Sequence, residues 1–378
     1  LSLTPTHSGA DASLVVTSFG LFGNEAVRHI PDIADRLDRK AFSTAPISDL
    51  SRSIGWPNGV ELAPPELLGR DAMVVAGGFL PPGKSTGEVS VISTDPERPF
   101  PERQLTRDKA GWFYHQTELH DMNGDGRLDI VTARARANPL GKPGGEMVWL
   151  ENPGADAGGP WAEHHLVDGP DVHFKMVDLD SDGKKEILAT QFFSKKVAVY
   201  WQDDSGWSGR TIDQSLGSPF DLQLTDVNND GQLDLLVTNH EKSKEAGVFA
   251  YEIPKDFKTE EWTRHTLYQG FVTRSGPFNR FQASPGTATA FHPNVADKDR
   301  KPCILVSGDG TQQAHILRPR SESPEDWSFE ESVLIDTGGT VGKCAVGDVD
   351  GDNYAEVFVP AYDQDLIHAF TFAPPAGP

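Results

Sequence analysis

Cysteine is almost absent: Cys303 and Cys344 are the only two in 378 residues, too few for a disulfide framework. No apolar run approaches the ~18 residues of a membrane-spanning helix, which excludes helical membrane insertion. Positive charge is in deficit, with 34 Lys and Arg against 56 Asp and Glu and a formal net charge of -22. A surface of that sign repels phosphate backbones, so nucleic acid is not an expected partner. The chain has no dinucleotide fingerprint and no His-Glu-x-x-His helix, and no organic cofactor is expected. It has no Asn-x-Ser/Thr sequon either, so glycosylation gives no support for secretion. It begins at Leu1, which fits a cleaved leader as well as a shortened sequence, so compartment stays open, secretion and the secretory pathway included.

Glycine and proline, by contrast, are plentiful, at 37 and 28. That composition suits short strands joined by many turns. Four segments share one pattern: HDMNGDGRLDIVTA (120–133), VDLDSDGKKEILAT (177–190), TDVNNDGQLDLLVT (225–238) and GDVDGDNYAEVFVP (347–360). Each has a loop of alternating Asp and Asn, then a Val/Ile/Leu run that reads as a buried strand. Similar runs without the acidic loop occur at 14–20, 72–78 and 303–309. Seven copies at a period of about 50–60 residues, each followed by further short strands, predict an all-β propeller of four-stranded blades. The expected blades are 1–50, 56–107, 112–168, 172–215, 220–270, 285–338 and 342–378, in one domain. Six blades with an N-terminal insertion is the alternative. Segments 1–8 and 373–378 compete to complete blades that lack a strand.

The Asp-x-Asp/Asn-x-Asp-Gly-x-x-Asp/Glu loops resemble the FG-GAP or VCBS repeat family, which includes integrin heads, fungal lectins, polysaccharide lyases and sugar dehydratases. Their spacing offers alternate oxygens to one point, as calcium requires. The expected ligands are Asp121, Asn123, Asp125 and Asp129, with the Arg127 carbonyl. The second loop offers Asp178, Asp180, Asp182 and Glu186, and the third Asp226, Asn228, Asp230 and Asp234. The fourth offers Asp348, Asp350, Asp352 and Glu356. About four structural calcium ions are expected, because clustered carboxylates repel one another without a cation. The degenerate copy at 295–303 should hold none.

In a propeller the strand before each acidic loop lines the central channel, and its side chains alternate. Residues two and four before the loop are mostly apolar and should pack between blades. Residues three and five before it should face the channel: Glu118 and Gln116, Lys175 and His173, Gln223 and Asp221, Ala345 and Lys343. The degenerate blades add Val60 and Asn58, and His292 and Ala290. His173, Lys343, Asp221, His115 and Tyr114 are the expected acid–base residues, since such groups shift one another's pKa when they converge. Trp56, Asn58, Gln116, Glu118, Lys175, Phe220, His240 and His292 are expected to contact substrate. Turns after the second strands should bring Arg134, Gln191, His240 and Asp309 to the same mouth, under a lid from connector 271–286. His115, His173 and His240 are also candidate zinc ligands, though they lack a local ligand signature.

The expected activity is proton transfer on a small oxygenated molecule, sugar-like or polyketide- or terpenoid-like. Dehydration, elimination or isomerisation would follow, with cyclisation or cycloaddition as an extension. The resemblance to fungal sugar-dehydratase propellers favours elimination. A lectin or adhesion module and a polysaccharide lyase are the alternatives. A repeat lectin would place similar pockets between successive blades, whereas each inner strand here carries different polar residues.

Overall fold

The computed structural model describes residues 2–4, 12–20, 25–38, 41–79, 86–95, 99–108, 111–136, 144–154, 158–274 and 282–375. Seven antiparallel sheets follow one another along the chain, at 2–51, 57–104, 112–168, 174–213, 219–269, 288–336 and 345–371. Among the described residues six have four strands and the last has three. The first sheet is a blade of its own, which removes the six-blade alternative.

The second strand of a blade is sandwiched between its neighbours. Ala72–Gly77, Glu186–Gln191, Asp234–Asn239 and Cys303–Gly308 are buried at every residue. A strand covered on both faces has no solvent side, which is why these runs read as continuous Val, Ile, Leu and Ala without alternation. The apolar set of the inner strands packs between blades: Phe174 and Met176 lie in one such cluster, Leu222 in another, and Cys344 in a third.

The termini do not share a blade. Ser2–Thr4 pairs with residues 13–15 as the innermost strand of the first sheet, and the seventh closes on Leu366–Thr371. The short helix Ile33–Asp38 and the turn Phe42–Thr44 pack beside the seventh sheet. There Ile33, Leu37 and Phe42 join Phe358, Ile367 and Ala369 in one apolar cluster. This insert of the first blade fills the junction where the ring closes.

Inner strands leave one edge unpaired toward the channel, and an unpaired edge invites unwanted pairing. Side chains of the preceding blade cap it. Gln116 bridges the backbone of Phe174, donating to its carbonyl at 3.2 Å and accepting its N–H at 3.3 Å. Glu118 accepts the Met176 N–H at 3.1 Å. Asp221 accepts the Ala288 N–H and Gln223 the Ala290 N–H, both at 2.9 Å. Much of the polar inner face therefore holds blade to blade.

Three inner strands carry a bulge at the same level. Pairing skips Asn58 between Pro57 and Gly59, skips His115 between Tyr114 and Gln116, and takes one extra residue between Pro219 and Leu222. A bulge resets the in–out alternation of everything beyond it. Gly59 sits where this brings two blades together: a Cβ there would lie 2.5 Å from the His115 carbonyl oxygen.

Candidate active site at the channel mouth

The bulges decide which side chains reach the channel. Tyr114 turns between blades, fully buried in an apolar cluster, with its hydroxyl accepting a hydrogen bond from Arg134 at 3.1 Å. Burial pushes its phenol further up. The expected catalytic role for Tyr114 is therefore corrected: it has no path to the mouth. Its neighbour His115 takes the channel position, its ring edge-on to His173 at 4.6 Å and to Phe220 at 5.9 Å.

His173 Nδ1 lies 3.1 Å from Asp221 Oδ1 and 3.1 Å from the Phe220 carbonyl oxygen. Two acceptors at Nδ1 place a proton there and leave Nε2 as the basic nitrogen of the neutral ring. Burial would raise the Asp221 carboxyl. The hydrogen bond and charge of His173, the Lys343 ammonium and the Ala288 N–H outweigh it and hold Asp221 below the usual carboxylate range. His115 is the opposite case. Burial first, then the charges of His173 and Lys343, push its imidazole well below its ordinary value. It is neutral at pH 7, and its buried Nδ1 meets no partner among the described residues. His115, His173, Asp221 and Lys343 thus form one electrostatic group on four different blades.

Aromatic rings continue around the mouth. Trp56 is stacked between Phe19 at 4.8 Å and Phe79 at 4.9 Å, and Tyr362 adjoins Phe19 at 5.1 Å. Phe79 meets Phe113, Phe113 meets Phe193, and Phe193 meets Phe192. Phe192 reaches Phe220 and His240, and His240 Nε2 lies 3.8 Å from Asp309. Burial raises the Asp309 carboxyl against the pull of His240. Phe19, Phe79, Phe192, Phe193 and Tyr362 were not among the expected site residues. Each stands just after the second strand of its blade, in SFG, GGF, QFF and AYD, and that recurrence was the available signal.

Other expected contacts lie elsewhere. Asn58 donates to the carbonyls of Gly78 at 2.7 Å and Tyr114 at 2.8 Å, a clamp between blades. His292 sits at the opposite end of the channel, where burial lowers its imidazole against the pull of Asp297. Arg134 is buried outward, paired with Glu146 at 2.5 Å and Glu163 at 2.7 Å, and Gln191 is buried beside Tyr200. Of the expected lid, Phe271 is a core residue and Arg274 binds Asp336, while Phe278, Arg280 and Phe281 lie outside the described residues. Deeper in the channel Glu118 joins Lys175 and His120, each at 2.9 Å. Glu61 pairs with Val74 as Glu118 pairs with Val131, so it faces the channel in place of Val60 and shares their field. Burial raises its carboxyl, Lys175 opposes, Glu118 adds and Lys343 opposes.

The acidic loops occupy the far face. Their closing carboxylates, Asp129, Glu186, Asp234 and Glu356, are buried. Burial pushes Asp234 and Glu356 up to about 7, with neighbouring loop carboxylates adding. Among the described residues, three groups bring His, Asp or Glu ligand atoms within 4.8 Å of one another. Two are Asp178, Asp180 and Glu186, and Asp348, Asp350 and Glu356, so these two loops fit a divalent cation by donor type and convergence. The first and third loops carry an asparagine at the second position, whose amide donates to Asp125 at 3.2 Å and to Asp230 at 3.1 Å. The third group, Glu146, His165 and Asp168, lies on the outer edge of the third blade, where Arg134 already takes Glu146. None of the three contains His115, His173 or His240, so the zinc expectation finds no support among the described residues.

The FG-GAP-like repeat matches residues 121–189 and 178–237, two overlapping copies in less than half of the chain. No curated protein matches the sequence. Among solved structures, a protein from Lactobacillus plantarum aligns at TM-score 0.52 and 11% identity, over 96% of this chain and 95% of that one. A glucose dehydrogenase aligns at TM-score 0.50 and 11% identity, over 82% and 95%. These likenesses establish the propeller fold. No helix among the described residues is long and apolar enough to cross a membrane.

Proposed function

We propose that the protein is an enzyme that moves protons on a small oxygenated molecule bound at the channel mouth. The observation that carries this reading is the array Asp221–His173–His115, built from three blades, with Nδ1 of His173 held by Asp221 at 3.1 Å. A carboxylate that fixes one nitrogen of an imidazole leaves the other as a general base of defined direction. His173 Nε2 takes a proton from carbon or hydroxyl. Lys343 stabilises the oxygen that gains negative charge. Neutral His115 supplies a second proton-transfer partner on the same side of the ring.

Dehydration or isomerisation is the reaction class this equipment serves, and cyclisation of a dehydrated product would need no further residue. The wall of rings suits a ligand with a substantial apolar face, either a polyketide- or terpenoid-like skeleton or the C–H face of a sugar. A glucose dehydrogenase shares the fold, which accords with a sugar-sized ligand, while chemistry does not follow from fold alone. A lectin with equivalent sites in successive blades is disfavoured by this single asymmetric centre. A lyase for acidic polysaccharide is disfavoured by the net charge of -22. In this reading calcium in the acidic loops is structural.

The test is incubation in D2O with a panel of β-hydroxycarbonyl compounds, half sugar acids and lactones, half hydroxylated polyketide and terpenoid skeletons. Mass spectrometry reads loss of water or uptake of deuterium. Turnover by the native protein that disappears in His173→Ala is expected. Turnover that survives His173→Ala, or glycan binding at several equivalent sites without any exchange, overturns the reading.

A further inference from the structure

The second acidic loop has a lysine beside it. Lys258, 78 residues along and on the next blade, places its ammonium 2.9 Å from Asp180 Oδ2. Asp180 belongs to the trio Asp178, Asp180 and Glu186, whose oxygens converge within 4.8 Å. The lysine is held by a built turn. Asp256 accepts the N–H of Lys258 at 3.2 Å and the hydroxyl of Thr259 at 2.5 Å. Phe257 is buried, 2% exposed, and its carbonyl accepts the Trp262 indole N–H at 3.3 Å. Arg210, from the fourth blade itself, donates to the Lys258 carbonyl at 3.0 Å. Backbone, preceding residue and following residue are all fixed, so the ammonium is delivered to the loop and is not a wandering surface charge.

We propose that Lys258 is the built-in counter-ion of the loop 178–186, filling the role that a calcium ion would take there and making this loop independent of the metal. An ammonium and a divalent cation compete for the same oxygens, and the tethered one acts at a high effective concentration. It donates a direct hydrogen bond to Asp180 Oδ2 at 2.9 Å. The fourth and fifth blades are thereby tied together at the loop face by the protein's own charge. The consequence is that this loop stays folded without metal.

The experiment compares native protein with Lys258→Met after stripping with chelator and titration with calcium chloride, read by native mass spectrometry and calorimetry. Lys258→Met is expected to bind one more calcium ion per chain than the native protein, or to tighten one site at least ~10-fold. Without calcium it should melt lower than the native protein, and calcium should restore it by a larger shift. Equal stoichiometry together with equal calcium-induced shifts in the two proteins overturns the proposal. A second variant covers failure of Lys258→Met to fold. Asp178→Asn combined with Asp180→Asn, made with Lys258 intact, should leave calcium stoichiometry unchanged, and a loss of one ion in that variant overturns the proposal equally.

Discussion

The two faces of the propeller are built from the same repeat and serve opposite ends. On the loop face four of the seven blades contribute a near-copy: alternating Asp and Asn, a tight turn and a buried closing Asp or Glu. On the mouth face the inner strands differ from blade to blade. At or near their mouth ends stand Trp56, His115, His173, Phe220 with Asp221, and Lys343, and just after the second strands stand Phe19, Phe79, Phe192, His240, Asp309 and Tyr362. Repetition marks a part that serves each blade carrying it in the same structural way. Divergence at equivalent positions marks what only one centre needs. The same contrast separates shared structural polarity from a site within the channel: Gln116, Glu118 and Gln223 cap the next blade's edge, while His115, His173, Asp221 and Lys343 meet near the axis.

Substitutions should split along that division. The largest effect is expected from His173→Ala, about 10²–10⁴-fold in turnover, with melting changed by less than about 2 °C, since a positioned general base contributes that much and little packing is lost. A fall in melting temperature large enough to explain the lost activity would erase the distinction between the faces. Chelation should do the reverse. Removing calcium is expected to lower melting by roughly 5 °C, the scale of an ion present at ~100 times its Kd, and added calcium should restore it. Magnesium should restore less, because it demands a stricter octahedron. Unchanged melting after exhaustive chelation would remove calcium from the account. A smaller loss follows from Lys343→Met, about 10–100-fold in kcat with KM nearly constant, because its charge acts on developing negative charge. A rise in KM alone would make it a binding residue.

The sequence made the repeat legible because buried second strands and acidic loops are short, local and copied. Seven blades could be counted from the Val/Ile/Leu runs alone. Local periodicity also placed His173, Asp221 and the inter-blade residues Phe174, Met176 and Leu222. It failed at the bulges, which depend on how one strand pairs with another. One extra residue at His115 exchanged that histidine for Tyr114 at the mouth. The second blade has no acidic loop to count from, and there the count fell one residue short, naming Val60 where Glu61 faces the channel. Counting back from the loops also passed over the turns at the far ends of the second strands. Phe19, Phe79 and Tyr362 belong to the mouth because tertiary stacking brings them there. The capping role of Gln116 and Glu118 was likewise invisible, since their partners are backbone atoms of the next blade.

The smallest predicted effect concerns how the mouth is held. Asp171 is buried beneath it and accepts the N–H groups of Phe192 at 2.8 Å and Phe193 at 2.9 Å, so one carboxylate fixes the turn that carries two rings of the wall. Burial pushes its carboxyl up to about 7, against those two N–H groups. The unfolded value is ~3.9, so between about pH 4 and 7 the folded protein holds a proton that the unfolded chain does not. Its contribution to stability is fully present below pH 4 and is lost as pH rises through 7. Asp171→Asn removes that titration while keeping one acceptor oxygen for the turn. The melting temperature of the native protein minus that of Asp171→Asn should therefore increase by about 2–4 °C from pH 8 to pH 5.5. Other titrating groups shift both proteins together and cancel in the difference. A gap that stays constant or narrows on acidification would show that Asp171 is already protonated or already solvated across this range. The rings at Phe192 and Phe193 would then owe their position to packing, and the mouth would differ from the loop face in having no carboxylate that holds it in place.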